Sequence, residues 1–142
     1  MRRAVFDTNV IVSGFLAPDG PPGRILDWLR AGDIQAVLDD RVAAEYAEVL
    51  ARPKFGLPAA EVGLVLAAIT TAAFRVDVGA GHAARGLPDE GDAPFLECAR
   101  AARVPLVTGN LRHYPRAAAR EVAVTTPAQY VAALSRVARG EE

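Results

Sequence analysis

The sequence predicts an α/β fold, a three-layer α/β/α sandwich with a mostly parallel central sheet, and three observations carry that prediction. Short apolar runs rich in β-branched residues alternate with longer segments whose apolar residues recur at helical spacing. The first run, Ala4-Val5-Phe6, is apolar without a polar alternate face, which is the pattern of a strand covered on both sides. The first and clearest of them ends on a carboxylate, Asp7, which places that group at the carboxyl edge of the sheet, where open α/β folds build their sites.

Taken in order, Ala4-Val5-Phe6 is the first strand, and Asp7-Thr8-Asn9 is a polar turn before a second apolar run, Val10 to Val12. Ala17 to Gly23 reads as a loop, because it is dense in proline and glycine. A helix over Arg24–Ala31 follows, with Ile25, Trp28 and Leu29 turned to the core and Gly32 as its stop. Ile34–Leu38 is the second strand. Asp39 and Asp40 then open a helix to Arg52, where their charge complements the helix dipole. A further helix runs from Pro58 to about Phe74, and Arg75–Val78 is a short strand. Gly79–Gly91 is the longest irregular stretch. Asp92–Arg103 is a helix, Val104–Thr108 a strand, and Gly109-Asn110 the turn after it. Val122–Thr125 is the last strand, Pro127 opens the terminal helix, and Arg139–Glu142 is expected to fray.

The length of 142 residues fits one domain, and the 51% of hydrophobic residues is enough for one full core. A net charge of −1 argues against binding polyanions through bulk charge. Nearly all the basic residues are arginines, Lys54 being the single lysine, so local two-point contacts with phosphate remain open. The lone cysteine, Cys98, excludes an internal disulfide and reads as a small core residue. No apolar run reaches the length of a membrane span, and Met-Arg-Arg leads straight into a strand, so a cytoplasmic protein without membrane contacts is expected.

Four positions compete for one site. Asp7 ends the first strand, and Glu45 lies beside the buried face of the helix after the second. Asp92 opens the helix after the glycine-rich stretch, with Asp89 just before it, and Asn110 follows the strand end at Thr108. Helix capping and turn formation are the ordinary uses of Asp7, Asp92 and Asn110. Convergence at one sheet edge argues for chemistry: three carboxylates crowded together repel unless a divalent cation neutralises them. All-oxygen ligation suits Mg2+ or Mn2+. No zinc set is visible, since Cys98, His82 and His113 lack ligand spacing.

In order, strand-Asp7-Thr8-Asn9, Glu45-Tyr46-Ala47-Glu48-Val49-Leu50, Asp92 and Val107-Thr108-Gly109-Asn110 resemble the PIN domain. The resemblance extends from Val5 to about Leu134 and is narrower towards VapC-like toxin components of toxin–antitoxin systems, whose style Leu106-Val107-Thr108-Gly109-Asn110-Leu111-Arg112-His113-Tyr114-Pro115 also matches. It implies a metal-dependent ribonuclease. Asp7, Glu45 and Asp92 would hold Mg2+ or Mn2+, Asp89 would assist, and Thr8 and Thr108 would position carboxylates or water. Asn9 belongs to the same supporting group. Water would attack a backbone phosphate in line, with no protein nucleophile. Asn110 stands where many PIN domains carry a fourth acid, which implies a weak or absent second metal and modest activity. The resemblance further implies a homodimer and an antitoxin partner.

A phosphoaspartate enzyme needs an acid at position 9 and a well-placed lysine, and the chain has Asn9 and a distant Lys54. A PIN fold that grips RNA or a protein with little cleavage is the stronger rival: Arg112, His113, Arg116 and Arg120 could follow phosphates, or form a solvated turn.

Overall fold

The computed structural model describes residues 2–140. Five strands, β1 (Arg2–Phe6), β2 (Ile34–Leu38), β3 (Phe74–Arg75), β4 (Leu106–Val107) and β5 (Val124–Thr125), form one all-parallel sheet in the order β3-β2-β1-β4-β5. Six helices connect and cover them: α1 (Thr8–Leu16), α2 (Pro21–Ala31), α3 (Asp40–Leu50), α4 (Ala59–Ala72), α5 (Ala93–Ala102) and α6 (Pro127–Ala138). This is the α/β sandwich that the sequence predicts. Glu141 and Glu142 of the tail expected to fray lie outside the described residues.

The central position of β1 follows from its composition. Ala4, Val5 and Phe6 are wholly buried, as a strand with neighbours on both edges and helices on both faces requires. The chain moves from β1 to β2 on one side and later places β4 on the other. The carboxyl ends of β1 and β4 therefore flank the point where strand order reverses, the crevice in which such folds bind ligands.

Several bounds differ from the sequence reading, each for a local reason. Helix α2 begins at Pro21, three residues before Arg24, because two prolines occupy its first turn, where no N–H is needed. Gly23 is required there: a Cβ would stand 2.0 Å from the carbonyl oxygen of Pro18. Trp28 is half-buried at the core's margin, with the Arg24 guanidinium 5.6 Å from its ring centre, instead of anchoring the core. Strands β3, β4 and β5 are each two residues long, shorter than the apolar runs that contain them. Asp39 caps α3 by accepting from the backbone N–H of Arg41 and Val42 at 3.0 and 3.1 Å.

Tyr46 on α3 is fully buried and donates its hydroxyl to the carbonyl of Phe6, which ties that helix to the carboxyl end of β1. Its ring is 6.4 Å from that of Phe95 on α5. Cys98, also on α5, is wholly buried, and burial first, then the charge of Asp39, pushes its thiol up to about 12. Among the described residues, no helix is long and apolar enough to cross a membrane.

Candidate metal centre

The last residue of β1 hands the chain to Asp7, which is 5% exposed and caps α1 through a 3.4 Å contact from the Asn9 N–H. Its Oδ2 accepts two hydrogen bonds, from the Thr108 hydroxyl at 3.0 Å and from the Tyr114 phenol at 2.9 Å. Thr108 is wholly buried at the end of β4, and Tyr114 follows the turn after it. Two donors on one oxygen fix the carboxylate's orientation and leave Oδ1 as the better-placed ligand atom.

Asn9 holds β1 and β4 together beyond the sheet. Its Oδ1 accepts from the Gly109 N–H at 3.0 Å, and its Nδ2 donates to Thr108 Oγ1 at 3.4 Å. Thr8 donates to Glu45 Oε2 at 2.6 Å, so the first residue of α1 orients the acid on α3. Glu48, the neighbouring acid on that helix, faces solvent and pairs with Arg52.

Asp92 stands at the start of α5 and is 9% exposed, yet its side chain caps nothing. Its Oδ2 is buried without any hydrogen bond, and His113 Nδ1, 3.2 Å away, forms an ion pair with it only when the imidazole is protonated. Burial, then the charge of Asp7, raises its carboxyl to about 6; Asp89 and Glu45 add to this, and His113 works against it. A buried carboxylate costs free energy unless paired or bound to a cation, and capping does not account for this one.

Among the described residues, Asp7, Asp92 and His113 form a group whose ligand atoms lie within 4.8 Å of one another. The expected set was Asp7, Glu45 and Asp92, with His113 as a turn residue without ligand spacing. The structure also brings His113 to Asp7 and Asp92, because the 3-10 turn Leu111–His113 folds back towards them. Glu45 is outside that tight group, but its charge reaches both Asp92 and Tyr114. The donor set fits a divalent cation: two buried carboxylates, one with an unbonded oxygen, and an imidazole.

The remaining positions sit further out. Asn110 is exposed, and its Oδ1 caps the turn by accepting from the Arg112 N–H at 3.2 Å. Asp89 is exposed and accepts from the Gly91 N–H at 2.8 Å. Arg112, Arg116 and Arg120 are all exposed.

Sequence reasoning missed Tyr114 as a member of the site. The one available signal was a large aromatic seven residues past the end of β4 in a mostly polar turn. It is 3% exposed, and burial, then the charges of Asp7 and Asp92, holds its phenol well above the usual range, so it stays a donor. Tyr114→Phe is expected to weaken Mn2+ binding about tenfold to a hundredfold, read by calorimetry, with little change in the unfolding midpoint. An unchanged affinity would show that Asp7 needs no such support.

A model of the PIN domain family matches residues 3–112. No curated protein matches the sequence significantly. Among solved structures, a chain of the crystal structure of VapBC2 from Rickettsia felis bound to a DNA fragment from their promoter superposes with a TM-score of 0.57. The two share 15% identity over 87% of this chain and 98% of that one, a likeness of fold. The match over most of the sequence, on a sheet whose carboxyl edge gathers Asp7, Asp92 and Thr108, places this chain in the PIN domain family.

Proposed function

We propose that the protein is a ribonuclease that hydrolyses RNA phosphodiester bonds with Mg2+ or Mn2+, as the toxin of a toxin–antitoxin pair. The observation that supports this most is the buried, unbonded Oδ2 of Asp92 beside Asp7 at the strand-order reversal. Membership of a family whose domains are generally nucleases agrees with it. Asp7, Asp92 and His113 would hold the cation, with Glu45 adding negative charge. Bound there, the cation would supply Lewis-acid charge for phosphodiester hydrolysis and would lower the pKa of water. Thr108 and Tyr114 keep Asp7 turned for ligation, Thr8 does the same for Glu45, and Asn9 fixes the spacing of the two strand ends. Exposed Arg112 and Arg116, beside the cluster, would take flanking phosphates.

An imidazole in the set favours Mn2+ over Mg2+, and the outward turn of Asn110 leaves one ion as the expected occupancy. The antitoxin partner and the homodimer rest on the resemblance to VapC and on the fold shared with a chain of VapBC2.

The test is cleavage of a fluorescent RNA with Mn2+, with Mg2+ and with EDTA, alongside a count of bound ions. Cleavage abolished by EDTA, with one tight Mn2+ per chain, is the expected result. Two tight sites would contradict the role given to Asn110. Cleavage untouched by the chelator would sink the reading as a whole.

A further inference from the structure

The opposite, amino edge of the sheet carries a second feature that the nuclease reading does not use. Two clefts adjoin there, of about 870 and 500 Å³, and share Arg103, Val104, Pro105 and Ala123 as lining. The larger is walled by His82, Arg100, Arg103 and Arg120, with Glu121 the one acid among its lining residues. The smaller adds Arg2 over an apolar floor that includes Tyr130 and Leu134; Arg3 also lines it, but its guanidinium is taken up by Gln35 and the Phe74 ring. In a chain of net charge −1, this local excess of guanidinium is a segregation of charge away from the acidic edge.

Two details argue that these arginines are more than solvated surface. Arg103 ends α5 with φ of +57°, the left-handed conformation in which a helix usually places glycine. Helix α2 ends in the same conformation with Gly32. An arginine there costs on the order of 1 kcal/mol in backbone strain. Its exposed guanidinium, like that of Arg120, has no ion-pair partner among the described residues. Arg100 by contrast is engaged, donating to the carbonyls of Ala83 and Ala118, so it stiffens the wall while keeping its charge. The second detail is Tyr130, which lines the smaller cleft. It is 7% exposed, and its hydroxyl is buried with no hydrogen-bond partner. A buried phenol left unpaired is costly and ready for a polar ligand atom.

We propose that the paired clefts are a nucleotide-binding site, with the phosphate held between Arg103 and Arg120 and the base laid on the apolar floor beside the Tyr130 hydroxyl. Planar guanidinium groups take phosphate in two places, and the neighbouring slot is apolar with a few polar groups, the pattern of a site for a planar heterocycle. The phosphate can come from a free nucleotide or from the backbone of an RNA that also reaches the acidic edge.

The experiment separates these sources and does not depend on cleavage. In EDTA, the unmodified chain is titrated with a fluorescent AMP analogue followed by anisotropy, and then competed with inorganic phosphate and with a short oligoribonucleotide. Saturable binding is expected. Displacement by the oligonucleotide assigns the site to RNA, and its failure to displace assigns it to free nucleotides. Arg103→Gly is expected to weaken binding about tenfold or more while the unfolding midpoint stays level or rises, because glycine suits that backbone. Arg120→Ala should weaken binding to a similar degree. No saturable binding, or binding unaltered in both variants, would overturn the proposal and leave the metal centre untouched.

Discussion

Asp7→Asn is expected to lower Mn2+-dependent RNA cleavage by about two to three orders of magnitude, the scale on which loss of one group at a reaction centre is felt. The reason lies in the two donors on Oδ2. The Thr108 hydroxyl and the Tyr114 phenol demand an acceptor, so an asparagine must present its carbonyl oxygen to them. Its NH2 group then occupies the place of Oδ1, where it offers a cation no lone pair and also gives up the 3.4 Å cap from the Asn9 N–H. The fold should tolerate the change, since the lost cap is a long one and the negative charge removed is one that disfavours ionised Asp92. Single-turnover rates and circular dichroism on the same preparation check both halves. A folded variant that still cleaves at more than about a tenth of the parental rate would place the chemistry elsewhere.

The second large effect has opposite signs with and without metal. Asp92 holds its proton more tightly when folded, to about 6 against an ordinary 3.8, because burial and then Asp7 disfavour its charge. Its contribution is therefore fully present below about pH 3.8 and is lost as pH rises through about 6. At pH 8 in EDTA, Asp92→Asn removes that penalty and is expected to raise stability by about 2 kcal/mol. Near pH 4 the gain should vanish. Saturating Mn2+ should reverse the order, because the cation stabilises only the chain that can bind it. Urea unfolding at the two pH values, with and without Mn2+, measures all four cases. Destabilisation by Asp92→Asn in EDTA at both pH values would mean that the carboxylate is structural.

What could be read from the sequence was what depends on periodicity. The run Ile34–Leu38, apolar except for Gln35, matches the observed bounds of β2, and the acids at strand and helix ends pointed to one sheet edge. Strand length in β4 was harder to read, because Val104-Pro105 is apolar but Pro105 has no N–H to give the ladder. Pro21 and Pro22 look like loop residues until a helix is seen to start on them. His113 and Tyr114 reach the cluster only because the turn after Asn110 folds back, and turn geometry over four residues leaves no periodic trace. The same turn takes Asn110 out to solvent, where it caps Arg112.

Cys98 gives the molecule an internal clock. With its thiol pushed up to about 12 and its sulfur sealed between α5 and the sheet, almost no thiolate exists at neutral pH, and reagents have no access to it. Alkylation must therefore wait for α5 to come away from the sheet. Because the residue just before that helix is Asp92, the labelling rate reports how often the scaffold of the metal centre comes apart.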